Sequence, residues 1–514
     1  MQVDPMTKLM TQASVLVLAL AAAGCATDAP LALKTADVPV KFTGPIPSKV
    51  GVWPAKEWWH GFNSPELDGL IATAETDNLN IAIAFAAVLQ AQAQSNIQRS
   101  ALFPSIDLGP SAERSASPSG IVSSSGTGRV TIPGATANTF SFTANGTWSP
   151  DIWGLARDNL HAAEDTLRAQ RYAQEEVALT EVSDVGTTYL DVAALRERVT
   201  LAKKNVEDAQ RVLKITEAKL QNGVSSQLDL AQEQALVAQQ EATIPVEQEQ
   251  ETEALNALAV LLGKPPEGFD IKAQNLDGIT LPLVAPGMPS QLLLRRPDIA
   301  EAEANLSSAH ANVDAARAAF FPAVSITGSA GTTSGVVGTL FHASTFEWSA
   351  GASALQTLFD AGKLFAESDL AKAEQLSLVA TYRLTVITAF SNVENQLNQC
   401  QNFAIEKDAL AREVKASAEA ERISELQYRE GIVDLTTLIQ TQQTLFTAQD
   451  ALVQAQLAYA QAVIGLYESL GGGWSQNPEE NTQPLPGTIE AADREPAPVP
   501  DPQNSIWKSI TDIF

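Results

Sequence analysis

Hydrophobic and polar positions along this chain follow one scheme written twice. At "ALFPSIDLGPSA", from Ala101 to Ala112, a stretch of helix-forming composition runs into Phe-Pro and emerges as large apolar residues alternating with small or polar ones; at Ala319 "AFFPAVSITGSA" does the same, with Pro104 and Pro322 separated by 218 residues. Proline removes a backbone donor and disfavours helical geometry in the residue before it, so each incoming helix is predicted to stop there. The alternation beyond is strand period two. The return strands are "NTFSFTANGTW" and "STFEWSAGASALQTLF", and tracts such as "SGIVSSSGTGR" suit exposed loops.

After each hairpin the period lengthens. Between Gly154 and Asn222 there is no proline and only one glycine, Gly186, which predicts a helix of about 68 residues and roughly 100 Å. A heptad seam runs through Val182, Val185, Tyr189, Val192, Val199, Ala202, Val206, Ala209 and Leu213, interrupted at Arg196. In the second copy it runs through Val386, Phe390, Val393, Leu397, Cys400, Ala404, Ala411, Val414 and Ala418, interrupted at Lys407. Seams of this kind make coiled-coil packing, and their many small residues allow close approach.

Gly154 matches Gly362, and Gly223 matches Gly431, each pair offset by 208. Each copy therefore reads as helix, β-hairpin, long helix, glycine turn, helix. The first is expected over 71–280, with its hairpin at about 104–149 and its tip near Gly223. The second is expected over 281–470, with its hairpin at about 322–358 and its tip near Gly431. Between them Pro297 is placed as a first helical residue before Asp298. The 471–514 tail is rich in Gly, Pro and acidic residues, which predicts disorder over most of it.

Charge and composition narrow the functional classes. The net charge is −27 over 514 residues and the pI is near 4.5, with Lys and Arg scattered, which excludes a nucleic-acid partner. Residues 1–24 read as a signal peptide: Lys8, then an apolar core, then small residues leading to Gly24-Cys25. "AAGC" resembles a bacterial lipobox, with Ala22 where leucine is usual, so Cys25 is the candidate lipidation site and 25–70 the lipidated extended segment. An ordinary cleavable signal with an incidental cysteine is the alternative. Ala26 after the cysteine favours the outer membrane over inner-membrane retention.

Four strands cannot close a barrel, since the smallest membrane barrels need eight. An open edge in lipid leaves backbone groups unpaired at several kcal/mol each. Three chains would supply twelve strands, enough for a channel. The fold class expected is therefore mainly α with a small transmembrane β part. Long coiled-coil helices form an α-barrel below a trimeric 12-stranded β-barrel.

The chain resembles the TolC-like outer-membrane efflux factors, in their lipoprotein (NodT or OprM-like) branch. The residues carrying the resemblance are Gly24-Cys25, "WWHGFNSPELDGLI" from Trp58, both Phe-Pro strand starts, "RRPDIAEAE" from Arg295, "FDAGK" from Phe359, and the turns at Gly223 and Gly431. It implies a homotrimeric conduit in outer-membrane lipid. The conduit would serve a periplasmic adaptor (membrane fusion) protein and an inner-membrane pump of the resistance-nodulation-division type. It also implies that the glycine turns form the periplasmic tip and contact the adaptor. Asp434, Thr436 and Gln440, just past Gly431, and Asp229, just past Gly223, are the candidate pore gate. Relatives carry an acidic ring near the position aligned to Gln440, which is neutral here, so Asp434 is the substitute. The plainer reading of Asp434 is a cap on the following helix, and of Asp229 a solvated or capping residue.

Other residues have plainer readings. His60, His161, His310 and His342 lack metal spacing, and Cys400 fits the seam as a small core residue. Trp148, Trp153 and Trp348 sit near hairpin ends, as a membrane-interface girdle or as plain packing. No catalytic constellation or cofactor motif is present, so no enzyme activity and no cofactor are expected. The function expected is an outer-membrane channel for tripartite efflux of small toxic compounds. Type I protein secretion is the alternative, and a non-conducting periplasmic coiled-coil scaffold a more distant one.

Overall fold

The computed structural model describes residues 39, 41–44, 57–117, 120–123, 129–132, 134–282, 284, 287–472 and 474. The signal segment, Cys25 and all of the tail beyond 474 lie outside them. A turn of 3-10 helix at Trp58–Phe62 buries Trp58, Trp59 and Phe62, with Trp58 stacked on Tyr467 at 4.7 Å. Helix α1 (Pro65–Asp77) follows, capped by Ser64, whose hydroxyl accepts the Leu67 N–H. Helix α2 (Leu79–Ser100) is capped by Asn78. That buried asparagine also donates to Glu181 at 2.6 Å and to the Leu261 carbonyl at 2.8 Å, tying the α1–α2 joint to the long helices.

Beyond Pro104 the chain forms β1 (Ser105–Ser117), a ribbon of β2 (Gly120–Ser123) and β3 (Arg129–Ile132), and β4 (Ala135–Trp148). Helix α3 (Leu155–Gln221) starts at Gly154, with φ +94. The Asp151 carboxylate there accepts the N–H groups of Gly154, Ala156 and Arg157. Helix α4 (Gln227–Leu261) returns antiparallel, carrying Pro245 inside it. After a loop and a single turn at Pro289–Leu292, the scheme repeats. It continues as α5 (Pro297–Ala318), β5 (Ala323–Ser334), β6 (Phe346–Leu355), α6 (Lys363–Arg429) and α7 (Leu435–Ser469).

The duplication is exact in length: α2 and α5 have 22 residues each, α3 and α6 have 67, and α4 and α7 have 35. In "FDAGK", Asp360 caps α6 as Asp151 caps α3, accepting from Gly362 and Leu364. Ala361 and Gly362 both take positive φ to make the turn.

One antiparallel sheet runs in the order β1-β4-β5-β6. Its central pairing, β4 with β5, joins the two copies, with Phe142 opposite Thr332 and Trp148 opposite Ile326. The helices follow the same order: α2 packs on α3, α3 on α5, and α5 on α6, while α4 folds back along α3 and α7 along α6. The first seam is buried from Val182 to Ala209. The second is buried from Val386 to Leu397 but opens below, leaving Ala411 exposed.

The two seam interruptions each have a partner. Arg196 donates to the Ile271 and Ala273 carbonyls at 2.6 and 2.9 Å, and pairs with Glu251 and Asp270, pinning the loop after α4 to α3. Lys407 lies over the Tyr459 ring at 4.8 Å.

Candidate functional site

Strand register sorts the sheet into two chemically opposite faces. Ile106, Leu108 and Pro110 align with Gly146, Ala144 and Phe142. Those align with Gly328, Ala330 and Thr332, and these in turn with Ala350, Trp348 and Phe346. Apart from Thr332 these twelve residues are apolar. The residues one step along each strand make the other face: Asp107, Ser111 and Glu113, then Asn145, Thr143 and Ser141, then Thr327, Ser329 and Thr333, then Ser349 and Glu347. Hydroxyls pair across it, Ser111 with Ser141 at 2.7 Å and Ser329 with Ser349 at 2.9 Å. Ordinary antiparallel sheets bury their apolar face against another layer. Here Ile106, Leu108, Phe346 and Trp348 are exposed, and among the described residues no layer covers them.

Aromatic residues flank the apolar face at two levels. At the helix end, the indoles of Trp148 and Trp153 donate to the Leu102 and Pro322 carbonyls at 3.1 and 2.8 Å, and Trp153 stacks on Phe321 at 4.9 Å. Phe142, six residues up β4, meets Phe341 edge-on at 5.9 Å and lies level with Phe346, about 20 Å farther along the strand. Trp348, opposite Ala330, lies two residues short of this distal level and four from the helix-end group. Four strands of 10 to 14 residues are long enough to cross hydrocarbon when tilted. Among the described residues, both outer strands, β1 and β6, present one unpaired edge.

At the opposite end lie the two glycine turns. Gly223 and Gly431 take φ +76 and +77, and an added Cβ would meet nothing within 4 Å at either, so backbone conformation alone selects glycine. Each closes its helix by the same pair of bonds. The Gly223 and Val224 N–H groups reach the Leu220 and Lys219 carbonyls, and those of Gly431 and Ile432 reach Tyr428 and Gln427. Val224, Leu228 and Ile432 are exposed there.

The sequence-selected acids both cap. Ser226 and Asp229 form a reciprocal capping box at the start of α4, and bonds from Ser226 hold the Asp229 carboxyl below the usual range. Asp434 is the N-cap of α7, accepting from the Thr437 N–H at 2.9 Å and hydroxyl at 2.7 Å. Those bonds lower its pKa, while the Asp229 charge opposes them. Thr436 and Gln440 are exposed on α7.

Residues joining the two hairpins escaped sequence reasoning. The Tyr428 hydroxyl meets that of Thr216 at 3.0 Å. Lys219 donates to the Tyr428 carbonyl and lies over its ring at 4.2 Å. Arg211 bridges Asp208 at 2.5 Å and Glu425 at 3.3 Å. Tyr428, an aromatic one turn before Gly431, was the available signal.

Three comparisons bear on this arrangement. The chain is 36% identical over 461 residues to the pyoverdine export outer membrane protein OpmQ of Pseudomonas putida, covering 89% of this chain and 97% of the relative. It is 32% identical to the toluene efflux pump outer membrane protein TtgC of the same species, covering 83% and 87%. Its fold matches the Neisseria gonorrhoeae MtrE outer membrane channel in its open state with a TM-score of 0.76, at 27% identity and coverage of 86% and 97%. The outer membrane efflux protein profile matches residues 70–264 and 288–472. With an uncovered apolar sheet at one end and stitched helical hairpins at the other, the chain belongs to the outer membrane efflux protein family.

Proposed function

We propose that three copies of this chain close a 12-stranded barrel in the outer membrane and conduct exported compounds passively through it and through the helical tube below. The observation that carries this reading is the sheet: apolar outward, hydroxyl-rich inward, with unpaired edges at β1 and β6. Lipid would leave those edges unsatisfied, and twelve strands give a bore too wide for side chains to fill. A non-conducting scaffold would have no use for a hydroxyl-lined face opposite an apolar one.

The rest of the system follows from the ends of the molecule. Lipidation at Cys25 anchors the chain in the outer membrane. The tips at Gly223 and Gly431, with exposed Val224, Leu228 and Ile432 beside them, meet a periplasmic adaptor coupled to an inner-membrane pump of the resistance-nodulation-division type. Asp434, Thr436, Gln440 and Asp229 stand where the tube narrows. Relatives are named for cargoes as unlike as pyoverdine and toluene, so the pump sets the substrate, and small-molecule efflux is favoured over protein secretion. The test is mass and conductance together. Purified protein is expected to run at three times the 54.5 kDa chain mass and to form discrete pores in planar bilayers. A single-chain particle that forms no pores would refute the reading.

A further inference from the structure

Glu233, on α4 two turns past the Gly223 tip, is fully buried, with 0% exposure. Neither carboxyl oxygen has a hydrogen-bond partner. Buried carboxyls ordinarily pair or bond, since leaving one unmet is costly. The duplication shows what the other copy does at this place. Ser226 and Asp434 cap equivalent helices, and the same 208-residue offset pairs Glu233 with Thr441 and Thr216 with Ser424. In the second copy Thr441 and Ser424 join hydroxyl to hydroxyl at 2.6 Å across the hairpin. In the first, the Thr216 hydroxyl is committed to the Val212 carbonyl and to Tyr428. Glu233 is therefore a carboxyl standing where the other repeat has a satisfied hydroxyl pair.

No charge in this part of the bundle compensates it. On α3, Arg211 is engaged by Asp208 and Glu425, Lys219 by Tyr428, and Lys214 and Glu217 are exposed. On α4 itself, Asp229 is held in its capping box and Glu241 by Gln210. On α7, Asp434 caps, and on α6 Arg429 is paired with Glu425. Burial is the sole cause acting on the Glu233 carboxyl and pushes it up to about 7.

We propose that Glu233 is a protonation switch for the first hairpin: neutral, it lets α4 close on α3, and ionised, it drives that end of the bundle to open locally. A carboxyl raised in the closed form stabilises closure fully below its ordinary value of 4.5, and that contribution is lost as pH rises toward about 7. Opening of the α3–α4 end should therefore increase roughly 70-fold between pH 5 and pH 8. The device belongs to the hairpin and does not require that the bundle end gate a pore.

The test is amide hydrogen exchange on the full-length protein in detergent, corrected for intrinsic chemistry, at pH 5 to 8. Peptides within 208–240 are expected to lose protection as pH rises, while those within 435–450 stay level. Glu233→Gln and Glu233→Thr, the latter matching the second repeat, should hold protection across the range. A level wild-type profile over 208–240 overturns the proposal without any variant. The same rise persisting in either substitution overturns it too.

Discussion

Two neighbouring substitutions in β5 test the orientation of the sheet against lipid. Ala330 lies on the apolar face, between the level of Ile326 beside Trp148 and that of Thr332 beside Phe142, opposite Ala144 on β4 and Trp348 on β6. Ser329, one residue before it, lies on the polar face and shares its hydroxyl with Ser349 at 2.9 Å. An arginine at mid-depth on a lipid-facing barrel position costs about 2–4 kcal/mol. By the usual 1.4 kcal/mol per decade that is a thirty- to seven-hundredfold loss in folding equilibrium. Ala330→Arg should pay this in full. Ser329→Arg gives up one hydroxyl pair on a wetted face, worth about 1 kcal/mol or less. Urea unfolding in lipid vesicles, followed by the intrinsic fluorescence of the eight tryptophans, measures both. Ser329→Arg should also add positive charge to the bore and lower cation conductance. The reasoning fails if Ser329→Arg destabilises as much as Ala330→Arg, because the two faces would then be equivalent.

The remaining predictions concern the helical part. Gly263→Ala would put a Cβ 2.2 Å from the Asp77 carbonyl at φ +64, whereas Gly223→Ala at φ +76 meets open space. Denaturant titration should show about 1–2 kcal/mol for the latter and a much larger loss, or no folded protein, for the former; equal effects would remove the steric account. Gln442 is fully buried with neither amide atom bonded, so Gln442→Leu should raise thermal stability, and a lowered melting temperature would show that an unseen partner serves it. Asp434→Ala should fray the first turn of α7 in hydrogen exchange and Asp434→Asn should not, while the wild-type cap weakens as pH falls through the lowered Asp434 value. A shifted reversal potential in the Asn variant would assign the charge to the pore.

Much of the fold was legible because it rests on local rules. Gly154 and Gly223 bound a helix that the sequence pattern sets at about 68 residues and the structure at 67, since no proline lies between them. The alternation after Pro104 and Pro322 foretold strands. The pairing of β4 with β5 across the two copies has no local signal. Arg196 shows the limit more clearly: a heptad register marks it as a fault, yet three of its partners, Asp270 and the Ile271 and Ala273 carbonyls, lie more than seventy residues away. Glu233 fails in the opposite sense. Pattern reasoning assigns a glutamate in a Gln- and Glu-rich helix to solvent, and only the packing of α3 and α4 shows that it is enclosed.

Agreement between the two layers carries the architecture further than either alone. Strand order β1-β4-β5-β6 and helix order α2-α3-α5-α6 coincide because each helix runs directly into, or out of, the strand above it. The two open strand edges therefore stand over the two outermost helices. Those helices also carry uncovered apolar residues, Leu79, Ile83 and Ile97 on α2 and Leu370, Leu384 and Ile387 on α6. One boundary thus leaves backbone unmet in hydrocarbon and apolar side chains unmet in water. A second copy laid with its β1 against this β6 brings its α2 against this α6 in the same step. A contact between unlike edges must continue until it closes, and closure at a small number of copies leaves neither deficit exposed.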